Sequence, residues 1–193
     1  MKHTSIALFY LFSLFLFSCT QRKDRTEDVK TIEQQLTAVD EAEKVFHNTD
    51  FSSTIAINKT VMDDIHFIQQ NYKDTMSKEE AMFLTHYKNV AKLVKNLEKK
   101  QKKTELEIQH TKDQLNNLKS AMMEHATEDK KGNEINDDYL DNALKEETLY
   151  SKQLINQITH MKDNCGIVKE KYPEMKPRID SLIASLQLKM NTK

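Results

Sequence analysis

Residues 78–128 read KEEAMFLTHYKNVAKLVKNLEKKQKKTELEIQHTKDQLNNLKSAMMEHATE. Through this stretch Phe83, Tyr87, Val90, Val94, Leu97, Gln101, Thr104, Ile108, Thr111, Leu115, Leu118, Met122 and His125 recur in alternating steps of four and three. Six heptads without glycine or proline predict one continuous helix about 76 Å long, packed as a coiled coil. Ser77 and Glu80 form a capping box at its start.

Asp129-Lys130-Lys131-Gly132-Asn133 follows and is the clearest turn in the chain, with Gly132 suited to the left-handed conformation and Asn136 or Asp137 to capping what comes next. The return helix carries Leu140, Ala143, Glu147, Tyr150, Leu154, Ile158, Met161, Cys165, Val168 and Tyr172. In an antiparallel hairpin the numbers of facing residues have a constant sum, and here it is 265. Leu118 meets Glu147, Leu115 meets Tyr150, Thr111 meets Leu154 and Thr104 meets Met161. The same sum pairs Val90 with Met175 and Phe83 with Leu182, beyond Pro173 and Pro177. The prolines are therefore expected to kink the chain without reversing it, and a last helix carries Ile179, Leu182 and Leu186.

Upstream, Val29, Ile32, Leu36, Val39 and Phe46 mark a helix over 28–47, and Ile57, Val61, Ile65, Ile68 and Tyr72 one over 54–73. Asn48-Thr49-Asp50 and Ser52-Ser53 separate them as cap and turn residues. The apolar face of 81–97 is broad, whereas from 101 to 125 it narrows and takes in Gln101, Thr104, Thr111 and His125. The expectation is an all-α, up-down bundle. In it, helices 28–47, 54–73, 78–97 and 168–190 form four sides at one end, and a long antiparallel coiled-coil hairpin, about 98–167, projects beyond them. A rival arrangement runs 28–73 the whole length of the hairpin as one three-helix bundle, placing Leu36 near Leu115 instead of Ile65.

Composition supports long helices. Of 193 residues, 2 are Gly, 2 are Pro and none is Trp, where average usage predicts roughly 13 Gly and roughly 10 Pro. Sandwiches, barrels and glycine-looped nucleotide folds are excluded on that ground. Charged residues make up 31% and the formal net charge is −1, which gives no global attraction to nucleic acid or acidic lipid.

The N-terminus carries an address. Met1-Lys2-His3 is basic, and Ile6–Phe17 (IALFYLFSLFLF) is apolar apart from Ser13. Twelve helical residues reach only ~18 Å, too short for a bilayer core of ~30 Å and right for a signal-peptide core. The run ends Leu16-Phe17-Ser18-Cys19, which resembles the lipobox of bacterial lipoproteins. The resemblance covers residues 1–19 only. It implies cleavage before Cys19, a diacylglyceryl group on its thiol and acylation of the new N-terminus, an anchor of two or three chains that holds stably. Thr20 follows Cys19, so the aspartate of the common inner-membrane retention signal is absent, and the expected location is the outer membrane of a Gram-negative envelope. Residues 1–18 thus read as signal, 19–27 as a polar tether, and 28–193 as one helical domain. The coiled-coil body also loosely resembles chains labelled viral A-type inclusion protein-like, a similarity of heptad periodicity that implies no activity.

Motifs for chemistry are sparse. Glu107-Ile-Gln-His110 has the spacing used in di-iron bundles but has no second copy, and Asp63-Asp-Ile-His66 is a poor substitute, so no metal site and no cofactor beyond the lipid on Cys19 is expected. Cys165 falls on the apolar seam as a small hydrophobe. Lys99, Lys100, Lys102 and Lys103 form a basic run, a candidate contact for a partner or lipid phosphate. No aromatics interleave with it, which argues against single-stranded nucleic acid. The expected function is a non-enzymatic, membrane-anchored coiled-coil scaffold, spacer or partner-binding lipoprotein of the envelope. It would meet another protein, or itself, by helix packing, with no small-molecule substrate. The alternative is a periplasmic holdase with helical arms.

Overall fold

The computed structural model describes residues 23–129 and 131–192. The signal segment and the Leu16-Phe17-Ser18-Cys19 motif lie outside the described residues, as do Lys130 and Lys193. Five helices follow in order: α1 Thr26–Asn48, α2 Phe51–Asn71, α3 Lys78–Lys92, α4 Leu97–Met123 and α5 Asp137–Asn191. No strand is present among the described residues, and the all-α bundle is as expected.

The five helices make three legs. α1 and α2 do not pack side by side; α1 packs on α4 and α5, while α2 packs on α3, α5 and the start of α4. Ion pairs and hydrogen bonds give the register. Lys112 reaches Asp40 at 2.7 Å and Glu43 at 2.9 Å, and Lys119 reaches Glu33 at 2.7 Å. Lower down, the Asn58 amide donates to the Ala91 carbonyl at 2.7 Å and the Tyr87 hydroxyl to Asp64 at 2.7 Å. The α1–α2 leg is thus antiparallel to the α3–α4 leg in one register along its length. It is parallel to α5: the Ser151 hydroxyl bonds Gln35, Lys169 pairs with Asp50, Lys176 with Asp64 and Lys189 with Asp74.

This is the rival arrangement. The hairpin does not project free, because α1 lies along it and buries Ile32, Val39, Ala42 and Phe46 against Ile108, Leu115, Leu118, Met122, Leu154 and Ile158. The reason is the short linker: Thr49 and Asp50 leave an extended step between two helices, not a reversal. A third leg also moves the buried face of α5 round by one residue. Ser151 is fully buried, whereas Tyr150, expected on the two-helix seam, is exposed.

The 51-residue helix expected from the heptads is broken. Leu93–Asn96 run through turns closed by hydrogen bonds between residues three apart, and Asn96 sits at φ 59°, ψ 26°. Asparagine tolerates this left-handed region because its short side chain is polar. Asn58 supports the break by donating to the Ala91 carbonyl. Above it Thr104 touches Met161, one of the expected pairs, hydroxyl to sulfur, at 3.4 Å. Below it Tyr87 stacks on Tyr172 at 6.4 Å and Arg178 lies over the Phe83 ring at 4.3 Å. Val90 and Met175, an expected pair, line one groove there, and Phe83 and Leu182 pack against the same distal core cluster. α5 itself runs unbroken through Pro173 and Pro177, so the separate last helix expected after them is the end of α5, and the chain does not reverse there.

The caps are local and legible. Ser77 and Glu80 form the capping box at α3, Asp50 caps α2 through the Ser53 amide, and Asn136 caps α5 through the Tyr139 amide. At the tip, Gly132 has φ 80°, and the Asp129 carboxylate accepts from the amides of Lys131 and Asn133 and from the Asn133 side chain. These bonds from Asn133, foremost, hold the Asp129 carboxyl below the usual range. His125, expected on the seam, lies past the end of α4 at φ 52° and is exposed.

Candidate functional site

The tether end is built into the fold. The polar tether expected over 19–27 is in part taken up by it: Arg25 is only 5% exposed, and α1 begins at Thr26. Its guanidinium bonds the side chains of Asp137 and Asp141, the Asp137 carbonyl at 3.1 Å and Asp28 at 2.9 Å. Lys23 adds an ion pair to Asp141 at 2.9 Å. Burial works against the Arg25 charge, and the bonds to Asp137, Asp141 and Asp28 more than offset it, so its pKa stands above the ordinary value. Hydrogen bonds from Lys23 and Arg25 hold Asp141 below the carboxylate range. Among the described residues, Arg25 Nε is the one buried side-chain polar atom without a hydrogen-bond partner. The cluster fastens the chain entering α1 to the first turns of α5, beside the hairpin tip. Arg25 stands outside the heptad pattern and its partners on α5, Asp137 and Asp141, lie more than a hundred residues away, so no local signal could have found the clamp.

The basic run does not form a site with the tip. Lys99, Lys100, Lys102 and Lys103 are all exposed on the first turns of α4. Lys102 pairs with Glu98 at 2.9 Å and Lys103 with Glu107 at 3.0 Å, both four residues along the same helix. The run lies about 30–36 Å of helix from the tip end of α4, at mid-length. Two of its four charges are thus already engaged by neighbours on the same face.

A groove of about 750 Å³ runs between α4 and α5 on the face away from α1, lined by Leu106, His110, Glu147, Tyr150 and Leu154 among others. Leu106 and Tyr150 are exposed there. Glu147 is partly buried in it, and desolvation pushes its carboxyl above the ordinary value against the pull of His110. The Glu107–His110 pair borders the same groove, but among the described residues no group of three or more His, Cys, Asp or Glu could hold a metal ion. Cys165 is buried, and that burial raises its thiol pKa. No described helix is long and apolar enough to cross a membrane.

The fold and these features define a three-legged helical rod whose α1 entry is pinned beside its hairpin tip. No family model matches the chain, and no curated protein and no solved structure is significantly similar to it.

Proposed function

We propose that this chain is a non-enzymatic, lipid-anchored spacer of the bacterial envelope, holding one end of a helical rod away from a membrane. The observation that carries the reading is the Arg25 clamp. With Cys19 acylated, Lys23 is four residue steps from the lipidated cysteine, a reach of at most ~14 Å. The membrane would then lie at the hairpin-tip end, not at the opposite end as the projecting-arm arrangement requires. The 55 residues of α5 extend about 82 Å from there. The distal end is the 72–77 loop and the last turns of α5, where Leu188 and Met190 are exposed. The unbranched, flexible Met190 beside the apolar Leu188 suits an adaptable contact with a partner helix. The basic run at mid-length is then a contact for a neighbouring protein before it is one for lipid. The holdase alternative expects open helical arms. α1 closes the hairpin, and the groove between α4 and α5 is what remains in that reading's support.

The test has two parts. A clickable palmitate analogue is expected to label the wild-type chain in cells and not Cys19→Ala; equal labelling of both removes the anchor. In proteoliposomes with quenchers in the headgroups, a fluorophore at Lys131 is expected to be quenched and one at Met190 to be unaffected. The reverse pattern puts the membrane at the wrong end.

A further inference from the structure

Each leg of the rod carries a helix-weakening feature, and these fall within about 18 Å of its length. The α1–α2 leg is interrupted at Thr49 and Asp50, and Asp50 pairs with Lys169 of α5 at 3.1 Å. The α3–α4 leg is interrupted at Leu93–Asn96. Asn58, two turns below the first break, donates to Ala91, just before the second. The α5 leg holds Gly166 and, within three turns, Pro173 and Pro177. Glycine weakens a helix interior by roughly 0.5–1 kcal/mol, and proline removes a backbone hydrogen bond and strains the carbonyl four residues back. Residues 165–177 cover about 18 Å of the ~82 Å rod.

The core divides at the same level. One apolar cluster fills the tip-side part, from Ile32 and Met122 down to Phe51, Leu97, Cys165 and Val168. A second fills the distal part, with Val61, Ile65, Ile68, Tyr87, Ala91, Ile179 and Leu186. Ile57, partly buried, is the residue packed against both. Gly166 meets no backbone or side chain that a β-carbon would strike, so close packing is not what requires it.

We propose that the rod is jointed: two stiff three-helix arms bend about a waist formed by residues 49–58, 91–97 and 165–177. Cooperative hinges of this kind use a few element-terminal residues to absorb backbone rotation while packed arms move as bodies. The inference does not depend on acylation of Cys19.

The test uses the full chain in detergent with Cys19→Ser and Cys165→Ala, carrying spin labels at His86 and Gln109. Both positions are exposed on the α3–α4 leg and line grooves toward α5, one on each side of the waist. A control pair at Gln109 and Asp138 stays within the tip-side arm. The distance distribution across the waist is expected to be about twice as broad as the control, the signature of a domain hinge. A variant with Gly166→Ala, Pro173→Ala and Pro177→Ala, checked for folding by circular dichroism, is expected to narrow it toward the control width. A cross-waist distribution no broader than the control overturns the proposal, as does one that the stiffened variant leaves unchanged.

Discussion

Gly166 is exposed within an unbroken stretch of α5, and nothing lies where its β-carbon would be. Gly166→Ala is therefore expected to stabilise the fold by about 0.5–1 kcal/mol, read from thermal or denaturant unfolding. A loss would mean that the backbone there needs glycine. Glu147 makes a second residue-scale test. Burial raises its pKa, so the folded chain holds its proton more tightly than the unfolded one. The stability this gives is present at low pH and lost as pH rises through the folded pKa. Glu147→Gln is expected to melt higher than wild type at pH 7, with the gap closing below pH ~4, near the ordinary carboxylate range. Asp50, Asp129 and Asp141 have the opposite sign. Hydrogen bonds from Ser53, Asn133 and Lys23 respectively lead in lowering them. Their contribution stands above the unfolded carboxylate pKa and fades as pH falls beneath it.

Among the elements, the caps and the buried stripe of α4 are local properties and could be read directly. Thr104, Ile108, Thr111, Leu115, Leu118 and Met122 are buried where the heptads put them. The Leu93–Asn96 joint could not be read, because the heptad pattern crosses it without a slip. Asn96 has no propensity strong enough to announce a break, and the Asn58 amide that supports it comes from another leg. Asn96→Ala is expected to cost about 1 kcal/mol, since alanine lacks the short polar side chain that lets asparagine occupy the left-handed region. A gain in stability from that variant, in denaturant melts, would favour the continuous helix that periodicity alone suggests. The face of α5 shows the same limit. A two-helix seam centres on Tyr150, and only the presence of α1 brings Ser151 inward to bond Gln35.

At the scale of the molecule, periodicity fixes which residues are buried but not which leg covers them. Two arrangements of the first 73 residues satisfied the same stripes. The deciding features, Arg25 on Asp141, Lys119 on Glu33 and Lys169 on Asp50, are polar contacts between residues 86 to 119 apart, invisible to any window of sequence. They put the tether and the tip at one end, where a projecting hairpin would hold them apart. The central claim is that α1 lies along the hairpin, not back on α2. Cysteine pairs in the full chain with Cys19→Ser and Cys165→Ala measure this most directly, since a disulfide forms only when the α-carbons come within about 7 Å. Leu36→Cys with Leu115→Cys is expected to cross-link under mild oxidation, and Leu36→Cys with Ile65→Cys, about 43 Å apart along the rod, to remain reduced. Cross-linking of the second pair and not the first would contradict the account.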